Sequence, residues 1–248
     1  MAFDGIFLHR ITEEIQQYIP AKINRIHQVS DTELLFHIRH QKEKVQLLVS
    51  AHSLYNRINI TTRKYPTPET PSNFVMLLRK YLEGGLLIRL TQGQLDRWLD
   101  LKISTYDELG DRVIRHLYIE LMGKYANVIL VDSNGKIVDA LKRIPPFENN
   151  KRIIQPGAEF RKTDPQNDKK NPFEDCSYDD NESFTRQFQG FSPLLSKELQ
   201  HRMHNGESLP AILHQIQSSR NVYITEEKDQ TYFHVIPLTQ FSNPCRKY

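Results

Sequence analysis

Apolar residues near the start of the chain recur with a helical period. Ile6, Phe7, Arg10, Ile11, Glu14, Ile15 and Tyr18 give spacing close to 3.6 residues, and Pro20 stops the run. Asp4 stands at the N-cap of this predicted helix, where a carboxylate accepts amide hydrogens of the first turn. Short alternating runs follow at Lys22–Val29, Glu33–Arg39, Lys44–Ser50 and Arg57–Thr61, and they predict a meander of antiparallel strands. The proline-rich segment Tyr65–Pro71 is neither helix nor central strand. From Ser72 to Glu83 the pattern turns helical again. Phe74, Leu77, Leu78, Tyr81 and Leu82 share one face, Arg79 and Lys80 lie mostly on the other, and Gly84-Gly85 ends the helix.

A second strand-rich block covers Leu86–Ile103, Arg112–Met122 and Asn127–Val131. The turn Asp132-Ser133-Asn134-Gly135 then leads into a returning strand, Lys136–Leu141. Residues 1–161 accordingly read as one α+β domain built on antiparallel sheet, and 162–177 as a polar linker. Residues 178–248 read as a small helical module. Its helices are expected at Asp180–Phe188, Ser192–His204 and Ser208–Ser218, with a terminal strand pair at Val222–Thr225 and Thr231–Ile236.

Composition narrows the function classes. The chain has 248 residues, 38% hydrophobic and 25% charged, enough to bury a sizeable core. No run approaches the length of a membrane span, and the start lacks the pattern of a secretory signal. Cys176 and Cys245 lie far apart and fit no disulfide framework or zinc pattern, so a reducing cytoplasm is the expected compartment. The net charge of +3 is too small to mark a nucleic-acid binder by itself. One basic stretch stands out between Lys142 and Lys170, with eight lysines and arginines (Lys151 among them) against four acidic residues; on charge alone it reads as a solvated linker.

Motifs for chemistry are sparse. The ten histidines show no metal-ligand spacing, and His201 and His204 read as a helix-surface pair, so no metal and no cofactor are expected. No phosphate loop, nucleophile elbow or kinase signature is present, and a non-enzyme is expected. Two features rise above this background. Asp96-Arg97 is an acid-base pair in an apolar, strand-forming stretch. Adjacent strand residues point to opposite faces, so both reach one ligand only from a bulge or strand end; otherwise Asp96 accepts from a nearby turn and Arg97 pairs with a surface carboxylate. The second is Gln189–Ser196, where Gly190 lies in a turn between short helices. Such a turn resembles a helix-hairpin-helix, with amides near Gly190 and Ser192 open to phosphate and Lys197 and Arg202 extending the contact. An ordinary helical hairpin is the other account.

Several stretches together resemble one family. Met1-Ala2-Phe3-Asp4-Gly5 opens the chain as its members open, and Phe74-Val75-Met76-Leu77-Leu78-Arg79-Lys80-Tyr81-Leu82 is similar to its FCMLLRKxL helix. Leu95-Asp96-Arg97 matches its acid-arginine position, Glu120–Leu130 its E-x-MGKxSNxIL block, and Gln155–Phe160 its PGxxY turn. This is the NFACT family of ribosome quality-control factors and streptococcal fibronectin-binding proteins. The resemblance covers essentially the whole chain.

It implies an amino-terminal domain related in fold to that of formamidopyrimidine-type DNA glycosylases, a helix-hairpin-helix module, and an end before the family's coiled coil. It also implies binding of tRNA (alanyl-tRNA in bacteria) and of a stalled large ribosomal subunit carrying peptidyl-tRNA, with untemplated tailing of the nascent chain. Asp4, Asp96 and Arg97 match the family's functional positions facing tRNA, and they are expected to form one outward-facing polar cluster. Ala126 replaces the usual serine and Phe160 the usual tyrosine, and Ala2-Phe3 lacks the amino-terminal proline and glutamate of glycosylase chemistry. The alternative the family offers is an adhesin for fibronectin or fibrinogen, reaching the cell surface without a signal peptide and serving virulence.

Overall fold

In the computed structural model, residues 3–68, 70–148 and 152–248 are described. Met1, Ala2 and Lys151, named in the sequence motifs, lie outside them. The chain divides into two compact units that alternate along the sequence. One, the sheet unit, comprises residues 11–93 and 98–164; the other takes the first residues through Arg10, the short stretch 94–97, and residues 165–248. Helix α1 (Gly5–Gln16) thus gives its beginning to the second unit and its remainder to the first. The sequence had placed the first residues and 94–97 with the sheet, because nothing local records which unit they pack in.

The sheet unit is built on nine antiparallel strands: β1 (Ala21–Ser30), β2 (Glu33–His40), β3 (Glu43–Ser50), β4 (Arg57–Thr61), β5 (Leu86–Gln92), β6 (Trp98–Tyr106), β7 (Arg112–Glu120), β8 (Asn127–Val131) and β9 (Ile137–Ala140). Their order is β4-β3-β2-β1-β5-β6-β7-β8-β9. Two meanders therefore run outward from a shared centre, where β1 and β5 join through only Ala21↔Leu87 and Lys22↔Leu86. Helix α2 (Asn73–Leu82) connects the meanders. The Ser72 hydroxyl accepts the Val75 amide at its N-terminus, and Phe74, Val75, Leu78 and Leu82 are buried. Arg79 Nε donates to the Ile26 carbonyl at 2.8 Å, and the Ile26 amide donates to Glu83 Oε1 at 2.8 Å, which fastens the helix to β1.

Two family motifs have structural roles here. Asn127, 2% exposed, accepts the Lys142 amide on Oδ1 and donates to the Lys142 carbonyl, clamping β8 to the chain beyond β9. Glu120 receives both terminal nitrogens of the Arg152 guanidinium, and the Arg152 guanidinium also sits over the Phe160 ring at 5.4 Å. Phe160 stacks on Tyr118, centroids 4.1 Å apart, so the ring supplies the contact although the usual hydroxyl is missing.

The second unit holds a single-turn helix α3 (Phe184–Gln187), α4 (Pro193–His204), α5 (Leu209–Ser218) and a three-stranded sheet of β10 (Tyr223–Glu227), β11 (Gln230–His234) and β12 (Arg246–Lys247), ordered β11-β10-β12. The predicted helix Asp180–Phe188 shrinks to α3, and β12 was not expected. From residue 165 on, the stretch read as a linker is fastened down in this unit. Lys170 bridges to Phe188, and the buried Gln189 amide group donates to the carbonyls of Gln166 and Lys169. Arg202, expected to extend a phosphate contact, is instead 4% exposed. Its Nε donates to Glu198 Oε1 at 2.9 Å and its Nη1 to Gln215 Oε1 at 2.5 Å, while Glu198 also accepts from the amides of Thr239 and Gln240. A buried guanidinium is tolerated only with such partners. No helix among the described residues is long and apolar enough to cross a membrane.

Candidate functional site

The apolar run Leu86–Ile103, which the sequence reads as one strand-forming stretch, is broken between β5 and β6. Residues 94–97 leave the strand direction, with Gln94 at φ +53°. Asp96-Arg97 therefore sits in a turn, not on a strand, and both side chains can face one side. Asp96 Oδ1 accepts the Arg97 amide at 2.7 Å, Asp96 is half-buried, and Arg97 is exposed.

What holds this turn is Leu95, 3% exposed, packed at the start of α1. A Cβ on Gly5 would fall 1.7 Å from the Leu95 carbonyl oxygen, and one on Gly190 2.7 Å from the same atom. Gly190 also has φ +77°, a conformation side chains rarely adopt. Two glycines thus form a slot for one backbone carbonyl.

The Gly190 carbonyl accepts the Gly5 and Ile6 amides at 3.0 and 3.3 Å. The Leu8 amide donates to the Asp4 carbonyl at 2.9 Å, and the Phe7 amide to Asp4 Oδ1 at 2.8 Å. Asp4 therefore caps α1 as expected. The first-turn amides of α1 are taken up within the protein and are not open to phosphate.

Asp4 departs from the expected outward-facing cluster: it is 4% exposed and turned inward. Ser192 Oγ donates to Asp4 Oδ2 at 2.6 Å, and His234 Nε2 lies 3.2 and 3.3 Å from the two carboxylate oxygens. An ionised carboxylate only accepts, so Nε2 carries the proton in this contact. Burial pushes the Asp4 carboxyl upward. The nearby His234 ring, with hydrogen bonds from His234, the Ser192 hydroxyl and the Phe7 amide, outweighs that and leaves it below the ordinary 3.8. The order is serine, carboxylate, imidazole. A nucleophilic triad needs the imidazole between the other two, so this arrangement braces the fold and does not activate Ser192.

Around the capped helix end lies a cavity of about 320 Å³ contained in this unit. Asp4, Asp96, Arg97, Gly190 and Ser192 all line it, so the residues singled out from distant parts of the sequence do meet. Lys169, Gln166, Phe3 and Phe191 complete a wall of mixed character. Ser192 Oγ is occupied on both sides, donating to Asp4 and accepting the Leu195 amide at 3.2 Å. Lys197 is exposed on α4 and is not among the lining residues. The groups left to face a ligand are a guanidinium, an ammonium, an amide, a carboxylate and two aromatic rings. Such a set suits a nucleotide, with cations for phosphate and rings for stacking.

Sequence reasoning missed three contributors. His234 falls on an inward position of β11, where alternation alone marks it as buried. Leu95 enters the sequence reading only as part of the Leu95-Asp96-Arg97 match, and by pattern it is one more apolar strand residue. Lys169 reads from the sequence as linker charge.

Comparison with known proteins matches this architecture. Residues 4–247 match the family model described as the NFACT N-terminal and middle domains. The chain is 35% identical over 269 aligned positions to "Rqc2 homolog RqcH" of Bacillus subtilis (strain 168), covering all of this chain and 47% of that protein. It is 31% identical over 152 positions to "Ribosome quality control complex subunit 2" of Saccharomyces cerevisiae, covering 60% of this chain and 13% of that one. The chain therefore spans less than half the length of these relatives. Among solved structures, the N-terminal part of the fibronectin/fibrinogen-binding protein from Streptococcus suis superposes with TM-score 0.82 at 29% identity, covering 96% of this chain and 91% of that one. The fibrinogen-binding protein from Staphylococcus aureus gives TM-score 0.85 at 28% identity, covering 100% and 95%. This chain belongs to the NFACT family.

Proposed function

We propose that this chain is the tRNA-binding portion of a ribosome quality-control factor, which acts on the large ribosomal subunit carrying peptidyl-tRNA and recruits alanyl-tRNA for untemplated tailing. The observation that carries this reading is the display of Asp96 and Arg97 at one cavity with Lys169 and Phe3. Arg97 offers a planar donor fork to phosphate or a base edge, and Asp96 accepts from a base amino group. Asp4 works from behind as a positioning residue. It fixes α1, Ser192 and His234, and through them the slot that seats Leu95. No reaction is assigned to the site: the protein binds and orients, on a glycosylase-like scaffold with a helix-hairpin-helix-like helical unit. Its place of action is the cytoplasm.

Measuring alanyl-tRNA binding by filter retention tests this. Asp96→Ala with Arg97→Ala should weaken binding at least tenfold while the melting temperature falls by only a few degrees, since Arg97 is exposed and Asp96 is half-buried with one main-chain amide to hold. Retained binding would refute the assignment.

A second reading is adhesion to fibronectin or fibrinogen at the cell surface, favoured by the names of the Streptococcus suis and Staphylococcus aureus proteins that share the fold. Salt dependence separates the two, because tRNA binding weakens steeply with salt as counterions are released. Salt-insensitive capture on immobilised fibronectin, with no tRNA association, would favour the adhesin.

A further inference from the structure

The sheet unit carries a second feature that the site above does not use. Register places Lys22 opposite Arg39 and Arg39 opposite Lys44, across β1, β2 and β3. One row further along the same face, Arg25 stands opposite His37 and His37 opposite Gln46. His27 follows two residues after Arg25, its ring 4.9 Å from that of His37 in an edge-on arrangement. Like charges directly opposite one another weaken a sheet, so such a row works against folding unless it serves another purpose.

The acidic groups do not offset it. Lys22, Arg25, Arg39 and Lys44 are exposed, and among the described residues none of the four has a carboxylate within ion-pair distance. From α2, Arg79 and Glu83 face His27, and Glu83 is held by the Ile26 amide. The face is also hollow. A cavity of about 490 Å³ is lined by Arg25, His27, His37, Lys44, Asn24 and Gln46, with the apolar Ile38 and Val45 among them. A neighbouring one of about 310 Å³ shares Arg25 and His27 and adds Arg79.

We propose that this face of β1–β3 is a second RNA-contacting surface, in which the paired histidines and the cationic rows hold consecutive phosphates of a single strand. The proposal rests on the reading of the protein as an RNA binder. Arg and Lys supply the phosphate attraction, and Asn24 and Gln46 add amide donors of the kind found at phosphate and sugar. The concave shape, with Arg25, Lys44 and the two histidines at its walls, favours a threaded phosphate backbone over a flat lipid surface. Burial, then for His27 the neighbouring His37, Arg79 and Arg25 against Glu83, and for His37 Arg25, hold both rings below the ordinary 6.5. A bound phosphate favours the protonated rings, so binding takes up protons and tightens as pH falls.

The test uses the whole chain and a labelled oligouridylate of about 20 nucleotides, titrated at several salt concentrations and followed by fluorescence anisotropy. Lys22→Gln with Lys44→Gln should lower the slope of log affinity against log salt by about 1.4 and weaken binding about tenfold near 0.1 M salt. His27→Gln with His37→Gln should flatten the pH dependence between about pH 7 and about pH 5. An unchanged salt slope in the first variant, or an unchanged pH profile in the second, overturns the proposal. Arg97→Ala in parallel separates the two sites. If it weakens alanyl-tRNA binding while Lys22→Gln with Lys44→Gln leaves oligouridylate binding intact, this proposal fails and the cavity reading stands. The reverse pattern leaves this surface standing and removes the other.

Discussion

Ser192 donates its hydroxyl hydrogen to Asp4 across 188 positions of sequence, at 2.6 Å in a buried setting. The same hydroxyl caps α4 while Asp4 caps α1, so one hydrogen bond couples two helix starts. Asp4→Ala should therefore cost more than an ordinary cap. It strands the Phe7 amide, the Ser192 hydroxyl and His234 Nε2 at once, and the expected loss is about 3 kcal/mol. Urea denaturation checks it; a loss no larger than that of an exposed control would show the cluster to be incidental.

The acid limb of stability carries the same signature. Asp4 is held below its ordinary 3.8 in the folded chain, so the unfolded chain takes up the proton first as pH falls. The stabilisation is complete above the unfolded value and disappears as pH drops through the lower folded value. Thermal melts across that window should show a steeper acid decline in the native sequence than in Asp4→Asn, which has no proton to gain.

Gly190→Val introduces a side chain at φ +77° and 2.7 Å from the Leu95 carbonyl. Gly5→Ala meets the same oxygen at 1.7 Å. Both should destabilise by about 2 kcal/mol or more and weaken alanyl-tRNA binding without touching Arg97, because the 94–97 turn loses its seat. Hydrogen exchange at Leu95 and Arg97 would report the loosening; unaltered protection with a lower melting temperature would place the strain elsewhere.

In α4, Arg202 and Lys197 should behave oppositely. Arg202→Ala leaves Glu198 buried without its cation and should cost about 3–5 kcal/mol. Lys197→Ala, on the exposed side, should change stability by less than about 0.5 kcal/mol. Chemical denaturation of the two variants side by side checks the contrast.

Local patterns made much of the fold legible. Ser72 and Gly84-Gly85 bracketed α2, and alternation placed β2, β3, β4 and β8 within a residue or so of their ends. The turn at 94–97 was hidden because Leu95 continues the apolar rhythm of a strand while packing in the other unit, and Gln94 takes a positive φ that its residue type does not advertise. At the site, Asp4 was legible as a cap and Asp96-Arg97 as a pair. His234 meets Asp4 from 230 positions away, and the burial of Arg202 needs, beside its helical neighbour Glu198, Gln215 and the Pro237 carbonyl 13 and 35 positions on, which no short window contains.

The turn that displays Asp96 and Arg97 is anchored through a main-chain oxygen between two glycines. Support and display are consequently independent: residues at the tip can be exchanged without disturbing the footing.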